Sequence, residues 1–490
     1  MNLVSTNAFT FPKIGETRML IGGKWVDGSA DRLLDTYDPA TGAVIASVAQ
    51  ATAQDVDAAV TAARAAFEHG PWAKMAAADR GLLLYRLAEL VERDRDYIAA
   101  LESYNCGKLL ADAQDIITLV VNNLRYFAGW ADKIEGRTIP ARGDVFAYTL
   151  REPVGVVGQI IPWNFPLLML AWKWGPALAA GNTIVMKPAE QTPLTALYMG
   201  QLAIEAGFPE GVINVVNGFG HIVGDALVSH PGVDKLAFTG SFETAKIIQK
   251  RAADTMKRAT FELGGKSPII VFRDADLDKA VNGAYAANFW HSGQCCSAGT
   301  RVYVDNEIRP EFVSRLKEKV ESRRLGHQLD PEVTHGPQIS QEQSDKILGY
   351  IEAGQREGAQ IVTGGERHGN QGFFVKPTVF NDVTDDMKIA REEIFGPVAS
   401  VLGFDEESTV VDRANNTNFG LAAAVFTNDI NRANRFVKQV KAGYVWVNCY
   451  FTLDANLPFG GYKQSGHGRE NGEAVLEYYT ELKTVVVQRD

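Results

Sequence analysis

Two adjacent thiols, Cys295 and Cys296, lie in Gly293-Gln294-Cys295-Cys296-Ser297-Ala298-Gly299, where small neighbours leave room for a substrate. A thiol near a helix end, where donors stabilise the thiolate, is a candidate nucleophile; a thiol enclosed in a core is a packing residue, and this segment alone admits both. Adjacent cysteines lack the C-x-x-C spacing that wraps zinc, so no metal is expected. Glu262, in Glu262-Leu263-Gly264-Gly265-Lys266, ends an expected strand beside two glycines, which suits a functional acid or a solvated turn equally. Asn164, in Pro162-Trp163-Asn164-Phe165-Pro166, is an amide in an apolar stretch and must find partners there, from a ligand or from backbone. Two glycine turns, Gly218-Phe219-Gly220-His221-Ile222-Val223-Gly224 and Phe238-Thr239-Gly240-Ser241, each follow a strand and precede a helix. Either presents backbone N–H groups to a pyrophosphate or is a plain strand-to-helix turn, and the first lacks the G-x-G-x-x-G spacing.

The elements that must position these groups follow an α/β pattern. From about residue 150, short β-branched runs alternate with amphipathic segments, as in parallel strands joined by crossover helices. Strands are expected at 154–161, 182–187, 212–216, 235–238 and 260–263, forming one doubly wound sheet. After Gly264-Gly265 the alternation restarts at 268–272, 301–304, 360–363, 398–404, 422–426 and 444–447, with a helix at 307–324, which predicts a second α/β domain. The N-terminal part is helical at 55–67 and 77–104, and 141–150 and 483–488 read as strands remote from either sheet, of the kind that join subunits by sheet extension. The uncharged stretch 153–172 is long enough to span a bilayer, but Pro153, Pro162, Pro166, Gln159 and Asn164 argue for a buried strand running into a loop.

The chain of 490 residues exceeds what one core organises, so two or three domains are expected. Its net charge of -10, without a Lys/Arg block, disfavours nucleic acid. The four cysteines form no disulfide framework, and the N-terminal segment lacks the features of a secretory signal; a cytoplasmic protein is expected.

Together the segments resemble the aldehyde dehydrogenase superfamily along nearly the whole chain: PWNFP at 162–166, KPAEQTP at 187–193, FTGS at 238–241, FELGGKSP at 261–268, GQCCSAG at 293–299, EEIFGPV at 392–398 and PFGGYKQSG at 458–466. They are most similar to the NAD-dependent branch containing cytosolic and mitochondrial aldehyde dehydrogenases, retinal dehydrogenases and bacterial phenylacetaldehyde dehydrogenases. The resemblance implies two Rossmann-like domains, a cofactor domain (1–134 and 154–264) and a catalytic domain (265–465), with an oligomerisation element (135–153 and 466–490). A homo-oligomer follows from it, a dimer or a tetramer built as a dimer of dimers.

The resemblance also implies roles. Cys296 is the nucleophile, Asn164 and the Cys296 backbone N–H hold the oxyanion, Glu262 activates water against the acyl thioester, and Lys173 and Glu470 relay protons with that base. NAD is the implied cofactor: Lys187 and Glu190 bind the adenosine ribose, Glu393 the nicotinamide ribose, and Ile161, Pro162, Trp163, Asn164, Gly220, Gly224, Phe238, Gly240, Ser241, Leu263 and Phe395 line the rest of the cleft. Glu190 accepts from both ribose hydroxyls and repels a 2′-phosphate, so NAD is preferred to NADP. Relatives usually carry glycine where this chain has Ala245, which bears on the fit around the pyrophosphate. The implied substrate wall is Ile116, Leu119, Phe165, Met169, Trp172, Trp290, Cys295, Phe451 and Leu453, almost wholly apolar, which favours arylacetaldehydes, benzaldehydes or medium-chain alkanals over charged aldehydes. Glu262 argues against a relative that passes the acyl group to coenzyme A, and intact Cys296, Glu262 and Asn164 argue against a non-catalytic protein that has kept the fold.

Overall fold

The parallel part of the first sheet starts at Val156–Ile160, adds Thr183–Lys187 and Ile213–Val215 on one side, then crosses over to lay Lys235–Gly240 and Arg258–Leu263 on the other. The computed structural model describes residues 3–5 and 10–489. The crossing creates a topological switch point between Val156–Ile160 and Lys235–Gly240, and doubly wound sheets hold ligands at the carboxyl end of such a point. Antiparallel strands close both edges: Met19–Ile21 with Lys24–Val26 on one, Gly466–His467 on the other. The central strands are covered on both faces, as Thr183–Lys187 shows with all five residues buried.

The second sheet runs Gln360–Thr363, Thr378–Asn381, Val398–Phe404, Arg301–Asp305, Pro268–Val271, Ala422–Phe426, Tyr444–Val447, parallel except for the first strand. The third is antiparallel: Thr480–Gln488 pairs along its whole length with Val145–Pro153, which also pairs with Thr138–Ile139. The α/β class with two doubly wound sheets and a small separate β element therefore holds.

Local departures from expectation have local causes. The strands expected at 141–150 and 154–161 form as Val145–Pro153 and Val156–Ile160, and Gly155 at φ +126° turns the chain between them and sends them to different sheets. The stretch that follows does not continue as a loop: Pro166, at the first helical turn where a missing N–H costs nothing, starts the helix Pro166–Ala179. The helix expected at 77–104 is two, Ala77–Arg93 and Arg95–Cys106, meeting at Asp94. The helix Leu110–Trp130 and the strand Thr378–Asn381 were not expected. Ala53–Glu68 forms as read, started by a reciprocal cap in which Thr52 and Asp55 satisfy one another's backbone N–H. Among the described residues no helix is long and apolar enough to cross a membrane.

Candidate active site

Three loops enter the second sheet side by side, because the strands they feed are neighbours: Glu262–Ser267 before Pro268–Val271, Gly293–Thr300 before Arg301–Asp305, and Glu392–Pro397 before Val398–Phe404. The first of them leaves the carboxyl end of Arg258–Leu263, so the loops close against the switch point of the first sheet. There they bound a cleft of about 760 Å³ lined by Pro162, Trp163, Asn164, Phe165, Met169, Thr239, Gly240, Ser241, Glu262, Leu263, Gly264, Cys296, Gln343, Lys346, Glu393 and Phe395. Thr239, Gly264, Gln343 and Lys346 were not anticipated. The last two lie one turn apart on the helix Gln341–Arg356, which carries no glycine turn or motif to mark it.

The structure separates the two thiols. Cys296 is partly exposed and reaches the cleft; Cys295 is buried, its Sγ 3.5 Å from Ser297 Oγ, and does not line the cleft. The helix preceding them, Leu277–Phe289, presents its carboxyl end, so no helix N-terminus lowers the thiol here. Hydrogen bonding with Cys295 and burial hold the Cys296 thiol well above its usual range, and the charges of Glu262 and Glu393 add to this. Forming a thiolate therefore calls for a base close by.

Glu262 has the properties of one. It is buried, and its Oε1 has no partner among the described residues. Burial raises its carboxyl well above the ordinary range, Glu470 adds to the rise, and Lys173 and Arg469 oppose it. A carboxylate so perturbed takes up a proton nearer neutrality than a free one does. Behind it, Lys173 Nζ donates to Glu470 Oε1 at 2.6 Å and to Thr239 Oγ1 at 2.7 Å, and of the three only Thr239 lines the cleft. Asn164 donates through Nδ2 to the Gln294 carbonyl at 2.9 Å, which fixes the amide and leaves its second N–H for another acceptor. The Cys296 backbone N–H has no acceptor among the described residues.

The residues at the switch point fit a dinucleotide. Ser241 caps the helix Phe242–Ala253 by accepting from Thr244 N, which leaves the Phe242 and Glu243 N–H groups without a partner among the described residues at the cleft's edge. Ala245 is buried within that helix. Glu393 lines the cleft, accepts from Gly265 N at 3.1 Å and is pushed by burial up to about 7. A Cβ at Gly264 would stand 2.1 Å from its Oε2, so glycine is what lets this carboxylate lie over the turn. On the far side of the switch point, Glu190 is within 3.3 Å of Lys187 Nζ, whose ammonium burial pushes down while Glu190 opposes. Carboxylates at both ends and free N–H groups between them match two ribose diols and a pyrophosphate. Gly220–Gly224 forms a π-type turn leading into Asp225–Ser229, with Gly224 next to Lys187. Phe238 and Ile161 are buried beneath the cleft and do not line it.

On the other side, Phe165 and Met169 line the cleft and begin an aromatic row: Phe165 lies 5.1 Å from Trp290, and Trp290 lies 4.8 Å from Phe451, between ring centroids. Lys108 Nζ, fully buried and 3.2 Å from Glu102 Oε1, stands 4.3 Å over the Phe165 ring and holds it in place. Ile116 and Trp172 are buried in the adjoining core, and Leu119 and Leu453 pack against it.

The sequence pattern of the aldehyde dehydrogenase family matches residues 25–485. Retinal dehydrogenase 2 of Gallus gallus is 54% identical over 479 residues, covering 97% of this chain and 92% of the relative. The mitochondrial aldehyde dehydrogenase of Rattus norvegicus is 53% identical over 480 residues, with the same two coverages of 97% and 92%. Among solved structures, an aldehyde dehydrogenase from Bacillus cereus in complex with NAD+ superposes with a TM-score of 0.96 at 51% identity, covering 97% of both chains. Betaine aldehyde dehydrogenase from Staphylococcus aureus, also with NAD+, superposes with a TM-score of 0.95 at 41% identity, covering 97% of this chain and 95% of that one. The chain belongs to the aldehyde dehydrogenase family. It is an NAD-dependent aldehyde oxidoreductase.

Proposed function

We propose that the enzyme oxidises apolar aldehydes to carboxylic acids through an acyl group carried on Cys296. The observation that carries this reading is that Cys296, and not Cys295, opens into a cleft shared with Asn164, Glu262 and Glu393. Glu262 draws the proton from the Cys296 thiol, and the thiolate adds to the aldehyde carbon. Asn164 Nδ2 and the Cys296 backbone N–H receive the oxyanion that forms. NAD, when bound, supplies the acceptor for the hydride that the aldehyde carbon gives up. Cys296 is left with a thioester; Glu262, once it has handed on the thiol proton, takes a proton from water whose oxygen attacks the acyl carbon, the C–S bond breaks, and the acid departs, leaving Cys296 as the thiolate. Lys173 and Glu470 pass the proton on from Glu262.

Lys187 and Glu190 hold the adenosine ribose, Glu393 the nicotinamide ribose, and the Phe242–Ala253 helix the pyrophosphate. Residues 1–134 and 154–264 serve as the cofactor domain, 265–465 as the catalytic domain, and 135–153 with 466–490 as the oligomerisation element. Exposed Phe146, Leu150, Leu482 and Val486 on the third sheet support a homo-oligomer, a dimer or a dimer of dimers. A cytoplasmic location completes the reading. The row Phe165–Trp290–Phe451 supports an arylacetaldehyde, a benzaldehyde or a medium-chain alkanal as substrate. The test is NADH formation by wild type and Cys296→Ala with phenylacetaldehyde, benzaldehyde, hexanal, betaine aldehyde and succinic semialdehyde. Cys296-dependent turnover of the first three is expected; preference for either charged aldehyde overturns the substrate reading.

A further inference from the structure

The first sheet carries a polar stripe that begins at the cleft, with Thr239 and Glu262, and runs on beyond it. Register pairs Thr239 with Glu262 and Ala237 with both Thr260 and Gln159, and Lys235 lies two residues before Ala237, so Gln159, Lys235, Thr239, Thr260 and Glu262 share one face of three neighbouring strands. All five are buried, and Lys235 is fully so. Polar side chains on the covered face of a parallel sheet are costly unless each finds a partner. Some do: Lys235 Nζ donates to Thr260 Oγ1 at 2.9 Å and to the Leu236 carbonyl at 3.3 Å, and Gln159 Nε2 donates to the Lys173 carbonyl at 3.0 Å. Four atoms along the same stripe have no protein partner among the described residues: Glu262 Oε1, Glu470 Oε2, Gln159 Oε1 and the Tyr479 hydroxyl. Lys235 Nζ stands 4.8 Å over the Tyr479 ring.

We propose that this stripe is a proton path, continued by water between the four unpaired oxygens, that drains Glu262 past Glu470, Lys173 and Tyr479 to Lys235. Lys235 pairs in register with Arg258, four residues before Glu262, so the path spans about 13 Å. Lys235 is itself fully buried, and its register partner Arg258, whose side chain is 53% exposed and pairs with Glu481 at 2.6 Å, marks the nearest edge of the sheet that meets solvent. The proposal rests on Glu262 being the base for thioester hydrolysis. In each turnover the attacking water leaves a proton on Glu262. That O–H bond must break before the next cycle, and Glu262 is buried. The Glu470 carboxylate accepts the proton, the Lys173 ammonium hands one proton on as it takes that one from Glu470, and neutral Lys235 becomes an ammonium and then gives its proton to water towards the edge marked by Arg258. Lys235 suits both halves of that exchange: burial and the cations Lys173 and Arg258 push it down to about 7 against the pull of Glu470, so amine and ammonium coexist at neutral pH.

Lys235→Arg separates relay from structure, because it keeps a cation and hydrogen-bond donors but cannot give up its proton at neutral pH. A single turnover of the full-length enzyme is followed with NADH absorbance and a pH-indicator dye together. In Lys235→Arg, NADH is expected within about twofold of the wild-type rate while proton release slows about a hundredfold, with added methylamine restoring it to Lys235→Ala. Tyr479→Phe, which removes only a hydroxyl, slows proton release in the same sense. Proton release keeping pace with NADH in Lys235→Arg and Tyr479→Phe overturns the proposal. So does a parallel fall of both signals, which marks a structural role. A wild type that forms no NADH refutes the parent reading instead.

Discussion

Asn164→Ala removes the side-chain donor proposed for the oxyanion while leaving the thiol and the base in place. Two costs follow, and they fall on different observables. Asn164 Nδ2 is the only donor to the buried Gln294 carbonyl among the described residues, so truncation strands that carbonyl, at about 1–3 kcal/mol of stability. The second N–H is worth more in the transition state: losing one oxyanion donor costs about 2.7–4 kcal/mol, or about a hundred- to a thousandfold in rate. The rate loss should therefore exceed what the fold loses. Single-turnover NADH formation with enzyme in excess gives the first quantity, and thermal melting with NAD titration gives the second. Asn164→Asp should not rescue the rate, since it replaces a donor with an acceptor beside Glu262 and Glu393. A single-turnover rate within about threefold of wild type, against the roughly hundredfold minimum expected, refutes the reasoning. So does a loss that appears only as weakened NAD binding.

Because burial raises the Glu262 carboxyl, the acid limb of turnover should lie well above the ordinary carboxylate range of about 4: the rate rises with pH as Glu262 loses its proton, and in Glu262→Gln that limb disappears with most of the activity, read as kcat against pH. Glu190→Gln removes a charge that repels a 2′-phosphate, so the preference for NAD over NADP should shrink about tenfold, a difference of about 1.4 kcal/mol, measured as the ratio of kcat/KM values; an unchanged ratio removes Glu190 from the specificity argument. Glu102→Leu leaves the buried Lys108 ammonium unpaired and should cost about 3–5 kcal/mol in urea unfolding, whereas a cost under about 1 kcal/mol contradicts the pairing.

The periodicity of the sequence made the two parallel sheets legible, since fully covered strands such as Ala422–Phe426 read as unbroken apolar runs. It did not reveal where a helix is cut: Asp94 divides the helix expected at 77–104 in two through a single backbone conformation. Asn164, Glu262 and Cys296 stood out as residues, but their convergence depends on Pro268–Val271, Arg301–Asp305 and Val398–Phe404 being neighbours, an order that no local pattern encodes. Residue type alone leaves Cys295 and Cys296 as equals, and the family resemblance singled out Cys296; the packed loop supplies the physical difference, turning Cys295 into the core and Cys296 into the cleft. Gln343 and Lys346 remained invisible because they project from an ordinary amphipathic helix, and the stripe ending at Lys235 because a buried polar face needs strand register to be seen.

The central claim is an acyl group on Cys296 that awaits Glu262. It is tested most directly by mixing wild type with NAD and phenylacetaldehyde, quenching in acid within the first turnover, and weighing the intact protein. The account predicts a mass increase equal to the aldehyde less two hydrogens, mapped to the peptide at Cys296 and absent from Cys296→Ala. NADH formation without any adduct, or an adduct carried by Cys295, contradicts it.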